Sequence, residues 1–308
     1  MARPRIGLAL GSGSARGWSH IGIIEVLGEA GIEPDIVCGT SMGAFVGAAC
    51  VAGKVGALKA YAEAVNLREM VRLLDLRLLG GGLIDGGQIV AFLRRLGVID
   101  PIEAYPKAFA AIATDLITGR ELVIKSGPID QAVRASISLP GIFKPCLLDD
   151  CWLAAGGMVN PVPVSACREL GAEMVIAVNL NDNRVGRRVR RRRAGEKAVA
   201  GVEKPRNDIL DQIREQMPAI IRGPADRVAA RLLGNGNAAP GYFEALTNSI
   251  NIMQAQITES RLAVERPDVL LVPDVREIGI MEFYRGREAI EAGRKCAADA
   301  LPDIKKLC

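Results

Sequence analysis

Aromatic residues and histidine are both scarce in this sequence. Phe, Trp and Tyr together make up 4% of the 308 residues, which argues against a nucleic-acid module that stacks bases on aromatic rings. The single histidine, His20, falls inside a predicted helix and precedes Ser41. In α/β-hydrolases the triad histidine follows the nucleophile in sequence. We therefore predict that His20 is a helix-face residue rather than a general base.

Paired cysteines and long apolar runs are also absent. The seven cysteines include no C-x-x-C pair, which predicts free thiols in a reducing compartment and neither a disulfide framework nor a zinc site. The first apolar run has about five residues, too few for the core of a signal peptide. No run approaches the ~18–20 apolar residues of a membrane-spanning helix. These absences predict a cytoplasmic protein whose membrane contact would be peripheral, at the inner membrane face.

Strand and helix signals alternate along most of the chain. Apolar runs typical of buried strands lie at 5–10, 35–38, 152–155, 174–180 and 269–272, and a hairpin-like pair lies at 109–116 and 121–125. Apolar residues at helical spacing mark 18–30, 44–52, 129–139, 164–170, 242–264 and 283–301. This alternation predicts a three-layer α/β/α fold with a mainly parallel central sheet, built as a single domain over residues 1–308.

The segment 183–240 differs from the rest because it is polar and begins with a cluster of arginines. We interpret it as a mobile cationic insertion, or lid, within the domain. The guanidinium groups could contact anionic lipid head groups, bind nucleic-acid phosphates, or belong to a solvated, disordered segment. The cluster consists of Arg184, Arg187, Arg188, Arg190, Arg191, Arg192 and Arg193.

The sharpest motif is Gly39-Thr40-Ser41-Met42-Gly43, which matches G-x-S-x-G. It lies between a predicted strand and a predicted helix, the context in which such a turn exposes a nucleophilic serine. The helix that follows favours negative charge developing at its N-terminus. A strand-to-helix turn that merely needs two glycines is the alternative interpretation.

A second motif, the loop Gly11-Ser12-Gly13-Ser14-Ala15-Arg16-Gly17, follows the first predicted strand. Amides at the start of a helix form an anion site. A dinucleotide loop would need glycine where Arg16 stands, and an acidic residue at the end of the second strand, whereas Asp35 is at its start. The other interpretations are an oxyanion hole, with Arg16 anchoring the loop or adding positive potential, and a plain tight turn.

Together these motifs resemble the patatin-like phospholipases, and more closely their bacterial branch related to neuropathy target esterase. The G-x-G-x-x-R-G loop, GTSMG and a turn at Gly156-Gly157 that leads into Asn-Pro-Val-Pro occur in the family's order. Further matches are GLALGSGSARGWSHIGIIEVL near the start, ATDLITGREL at 113–122 and RASISLPGIF at 134–143. The resemblance covers residues 5–181 well and the C-terminal strand and helix more loosely. It implies a patatin-like fold with a nucleophile elbow.

The resemblance implies a lipid acyl hydrolase that uses a Ser-Asp dyad and neither a metal nor another cofactor. Ser41 would attack an ester carbonyl, and the aspartate would accept its proton. The implied oxyanion loop comprises Gly11, Gly13, Ser14, Ala15, Arg16 and Gly17, and the implied elbow comprises Gly39, Thr40, Met42 and Gly43 around Ser41. Ser12 and Ser14 stand where many members have glycine, but backbone donors survive that change.

The implied partner is a lipid or another fatty-acyl ester, without nucleic acid. Because such a substrate would sit at a membrane, an anionic surface becomes the favoured partner of the arginine cluster, contacted through Arg187, Arg188, Arg190, Arg191, Arg192 and Arg193. Association into a homo-oligomer is left open.

The dyad aspartate of the family's D-G-[GA] turn is missing, because alignment on Gly156-Gly157 places Ala155 at that position. Loss of a general base typically lowers a rate by ~10²–10⁴-fold. Asp149 and Asp150 lie ~17–20 Å upstream along a short strand and are predicted to form the turn before it. Asp115 lies near a different strand end, and nothing in the sequence supports it as a substitute.

Two explanations fit a site with its serine and both loops intact but no carboxylate. The favoured one is an engineered replacement of the aspartate by Ala155, made to trap an inactive or substrate-bound form. The alternative is a natural pseudoenzyme that binds lipid or acts as a regulatory adaptor. In either case this chain is predicted to be inactive or strongly impaired.

Overall fold

The computed structural model describes residues 3–66, 85–181 and 242–308. Of these, residues 3–66, 85–181 and 254–308 belong to one compact unit and residues 242–253 to another. The predicted cationic insertion at 183–240, with all of its arginines, lies outside the described residues, so its prediction remains untested.

One sheet contains every strand of the described residues. The central strands β8, β7, β1, β2 and β3 are neighbours in that order and are parallel. β4 and β6 pair antiparallel with β3, and β5 pairs antiparallel with β6. The strands are β1 Ile6–Leu10, β2 Ile36–Thr40, β3 Ala108–Asp115, β4 Glu121–Ile124, β5 Cys146–Leu148, β6 Cys151–Ala155, β7 Met174–Val178 and β8 Val269–Leu271.

Helices cover both faces of this sheet, as the all-apolar strands require. On one face, Leu8, Leu10 and Phe109 share a core with residues of α1, α2 and α8. On the other face, Ala9, Ile36 and Ile112 pack with α6. The helices are α1 Ser19–Glu29, α2 Met42–Val51, α3 Val55–Ala64, α4 Gly87–Arg95, α5 Ile129–Ser136, α6 Val164–Glu169, α7 Tyr242–Val264 and α8 Gly286–Leu307. The predicted three-layer α/β/α fold with a mainly parallel sheet is confirmed.

The ends of β2 and β6 meet along one edge of β3. Ile112 pairs with Thr40 on one side and with Val123 on the other, and the next residue, Ala113, pairs with Ala155 and with Leu122. Because β4 pairs with residues 111–114 of β3, which overlap the stretches paired with β2 and with β6, those two strands must share the other edge of β3 and run toward each other. Thr40 and Ala155, the last residues of β2 and β6, therefore pair with adjacent residues of β3, which are roughly 3 Å apart along the strand.

Several boundaries differ from those that the sequence predicts. β2 continues through Gly39 and Thr40, so the turn of the G-x-S-x-G motif is confined to Ser41. The last helix continues through Pro302 to Leu307 instead of ending at residue 301. Helices α3 and α4 and strand β5 were not predicted. No helix in the part of the chain that the structure describes is long and apolar enough to cross a membrane.

Candidate active site

Ser41 occupies a strained turn between β2 and α2, the Ser41 elbow (Gly39–Gly43). Its φ and ψ are 56° and −116°, a positive φ that is uncommon for a residue other than glycine. The elbow is tight because a Cβ at Gly43 would lie 2.0 Å from the carbonyl oxygen of Leu10, and one at Gly39 would lie 2.4 Å from the amide of Ala44. The serine side chain therefore stands at the strand end, half-buried, in front of the first turn of a helix.

The glycine loop (Gly11–Gly17) presents free amides next to this elbow. Ser14–Trp18 forms a short 3₁₀ helix, and Gly13 precedes it. Within the described residues, no acceptor takes the amide hydrogens of Gly13 and Ser14. Two unsatisfied donors at a helix start can bind a developing oxyanion.

Two buried side chains tie the glycine loop to its surroundings. The guanidinium Nη1 of Arg16 donates to the carbonyl oxygen of Leu180 at 3.1 Å, so Arg16 anchors the loop to the segment after β7. His20 Nε2 donates to the carbonyl oxygen of Gly11 at 2.8 Å. Burial lowers the pKa of His20 to about 4, so this imidazole is neutral at pH 7. His20 lies on α1 as predicted, and its bond to the loop was not foreseen.

The Gly-Gly turn (Gly156–Gly157) borders the site beside the glycine loop. A Cβ at Gly156 would lie 2.1 Å from the carbonyl oxygen of Ile112, and one at Gly157 would lie 2.5 Å from Gln254 Nε2 and 3.4 Å from Ser12 Cβ. Ser12 Oγ donates to Gln254 Oε1 at 3.1 Å. The turn thus lies directly against the glycine loop, and the backbone of β3 leaves no room for a side chain on Gly156.

Threonine hydroxyls bind backbone carbonyl oxygens on both sides of the site. The Thr40 hydroxyl donates to the carbonyl oxygen of Asn160 at 2.8 Å, and the Thr114 hydroxyl donates to the carbonyl oxygen of Ala155 at 2.9 Å. Ala155 is 1% exposed and shares its sheet face with Leu153. The structure therefore brings all three predicted motifs to one place, at the end of β2.

No carboxylate completes the site among the described residues, where Ser41 Oγ makes no hydrogen bond. Asp115 accepts bonds from the amides of Ile117 and Thr118 and from the Thr118 hydroxyl. These hydrogen bonds lower the pKa of Asp115, and the bond from the Thr118 hydroxyl has the largest effect. Asp149 and Asp150 form the turn between β5 and β6, at the end of the hairpin remote from Ala155.

Sequence reasoning missed several polar residues of the site. Ser136 Oγ accepts the amide hydrogen of Ser41 at 2.8 Å, and the Ser138 carbonyl accepts that of Ala155 at 2.9 Å. Asn181 Nδ2 donates to Ser12 Oγ at 3.1 Å. Ser136 and Ser138 lie in the RASISLPGIF stretch that carries the resemblance, which was the available signal; Gln254 and Asn181 had none.

The chain has an α/β/α fold with a mainly parallel sheet and a serine elbow at the end of a strand. Proteins of this class place a reactive side chain at the carboxyl end of the sheet. A family model described as "Patatin-like phospholipase" matches residues 8–168. The NTE family protein Rv1063c of Mycobacterium tuberculosis is 33% identical over 330 residues, which cover 97% of this chain and 91% of that protein. The chain belongs to the patatin-like phospholipase family, whose members are hydrolases.

Similarity extends to other organisms. The patatin-like phospholipase domain-containing protein ZK370.4 of Caenorhabditis elegans is 36% identical over 181 residues, covering 57% of this chain and 13% of that protein. Among solved structures, VipD from Legionella pneumophila aligns with 98% of this chain and 67% of its own, with a TM-score of 0.47 and 14% identity.

Proposed function

We propose that this chain carries the site of a serine-dependent lipid acyl hydrolase from which the general base is missing. The observation that carries the proposal is the meeting of the Ser41 elbow with the end of β6 at Ala155, where Ser41 Oγ has no hydrogen-bond partner among the described residues. A carboxylate on residue 155 would extend from a backbone position that adjoins the nucleophile.

The proposed reaction follows from these groups. With a carboxylate at position 155, Ser41 Oγ loses its proton to that carboxylate and attacks the ester carbonyl. The amides of Gly13 and Ser14 stabilise the oxyanion. The alcohol then leaves with the proton, and water hydrolyses the acyl-serine with the carboxylate again accepting a proton. With Ala155 in place, Ser41 lacks this base, so the chain is strongly impaired.

Restoring the carboxylate tests this proposal. We expect Ala155→Asp to raise kcat/KM for short-chain p-nitrophenyl esters by ~10²–10⁴-fold. Ala155→Asn is the matched control, because its amide has nearly the same shape but accepts no proton, and it should leave the rate unchanged. Ser41→Ala in the Ala155→Asp chain should abolish the gain.

A second candidate function is a non-catalytic lipid-binding or regulatory protein that uses the same site. Ala155 itself favours it, since a binding protein has no need of a base. The absence of any gain from Ala155→Asp on p-nitrophenyl esters or lysophospholipids would favour this candidate. Labelling of Ser41 by a fluorophosphonate measures independently whether the hydroxyl is reactive.

A further inference from the structure

The Ser41 elbow is held by a side chain 95 residues away in sequence. The amide of Ser41 donates to Ser136 Oγ at 2.8 Å, and Ser136 is fully buried at the last residue of α5. The φ of 56° at Ser41 is a conformation that persists in a serine only where the surroundings fix it. The hydroxyl of Ser136 is the one side-chain group bonded to that amide among the described residues.

The clamp segment (Ser136–Ser138) also holds the position of the missing base. Its last residue accepts the amide hydrogen of Ala155 through its carbonyl oxygen at 2.9 Å. The Ser138 hydroxyl is in turn fixed, since it accepts from Arg134 Nη1 at 2.6 Å and donates to the carbonyl oxygen of Arg134 at 2.8 Å. Three consecutive residues therefore bind both positions of the implied dyad.

We propose that Ser136 is a positioning residue for acyl transfer, which sets the rotation of the elbow so that Ser41 Oγ faces position 155. The proposal rests on the proposed function. Because the amide of Ser41 is already bonded to Ser136, it is unavailable to the oxyanion. Removing the hydroxyl leaves the strained amide without its acceptor, and the elbow can then rotate away.

The test uses Ser136→Ala in two backgrounds with two readouts. In the Ala155→Asp chain we expect kcat to fall by roughly 10- to 100-fold with KM changed less than about 2-fold, because a small misplacement of the nucleophile acts on the chemical step. In the unaltered chain we expect amide hydrogen exchange of the elbow peptide to accelerate by about 10-fold, the value of one lost hydrogen bond.

Two variants separate positioning from general destabilisation. Tyr105→Phe is the matched control, because it removes a hydroxyl that likewise accepts a backbone amide hydrogen, that of Asp100 at 3.3 Å, at the end of the sheet where β1, β2 and β3 begin. It should leave both readouts unchanged. Ser136→Cys keeps a weak acceptor of similar size and should restore part of kcat; it also carries the test if Ser136→Ala does not fold.

The outcomes distinguish this proposal from the proposed function. Exchange does not depend on turnover, so unchanged elbow exchange in Ser136→Ala overturns the positioning role even if Ala155→Asp is active. Equal kcat with and without the Ser136 hydroxyl also overturns it. Absence of any serine-dependent turnover in Ala155→Asp overturns the proposed function instead, and with it the catalytic meaning of the clamp.

Discussion

At position 43 any side chain would collide with the backbone of the neighbouring strand. A Cβ on Gly43 would lie 2.0 Å from the carbonyl oxygen of Leu10, whereas a Cβ on Gly28, also in a helix, would meet nothing within 4 Å. We expect Gly43→Ala to lower the free energy of unfolding by about 3 kcal/mol, as overpacking against rigid backbone does. Gly28→Ala should raise it by ~0.5–1 kcal/mol through reduced backbone entropy. Equal effects of the two changes in urea unfolding would contradict this account of the elbow.

His20 gives the protein a specific dependence of stability on pH. Burial lowers its pKa from 6.5 to about 4, so between these values the unfolded chain binds the proton and the folded chain does not. The free energy of unfolding therefore rises with pH in this window: the contribution is complete above pH 6.5 and is lost as the pH falls toward 4. We expect a loss of about 2 kcal/mol between pH 7 and pH 5.

Urea unfolding of the His20→Gln variant at both pH values isolates this contribution. The chain has no second histidine, so the difference between variant and parent belongs to position 20. A glutamine amide can still donate to the carbonyl oxygen of Gly11 but does not titrate, and its stability should change far less over this window. An equally steep loss in the variant would show that another group titrates there.

At the scale of elements, the sequence predicts what local pattern determines. The apolar run before Ser41 and the small, apolar residues after it specify a strand, a turn and a helix, and the structure has all three. By contrast, α8 continues past Pro302, although proline removes a helical hydrogen bond, because Ile304 is fully buried and holds the last turn against the core. A prediction from the local sequence pattern does not include such tertiary packing.

The same limit explains the parts of the site that sequence reasoning missed. Strand β5 has three residues, too few for a periodic signal, and it pairs through a turn in which Asp149 and Asp150 both have positive φ, a conformation that aspartate tolerates. Ser136 is recognisable as a positioning group only once α5 is packed beside the elbow. Motif order indicated Ser41, Ala155 and the glycine loop; the groups that hold them depend on contacts across the fold.

At the scale of the whole molecule, the distribution of charge is uneven. The net charge is +4, from 39 basic and 35 acidic residues. Seven of the 39 basic residues are the arginines of 184–193, a window that contains no acidic residue. The rest of the chain therefore has 32 basic and 35 acidic residues, a net charge of −3. The net charge of the rest of the chain does not attract an anionic membrane, whereas the arginine cluster does.

We therefore expect the cluster to control binding to anionic lipid surfaces. Each arginine near such a surface contributes ~1 kcal/mol, so changing Arg187, Arg188, Arg190, Arg191, Arg192 and Arg193 to Gln should reduce cosedimentation with phosphatidylserine vesicles by more than about 10-fold. Changing the same six residues to Lys keeps the charge and should preserve binding, which distinguishes electrostatic attraction from a specific guanidinium site. Raised salt should weaken the parent and the Lys variant alike. Unchanged cosedimentation of the Gln variant would refute the lipid role and leave the cluster as a solvated segment.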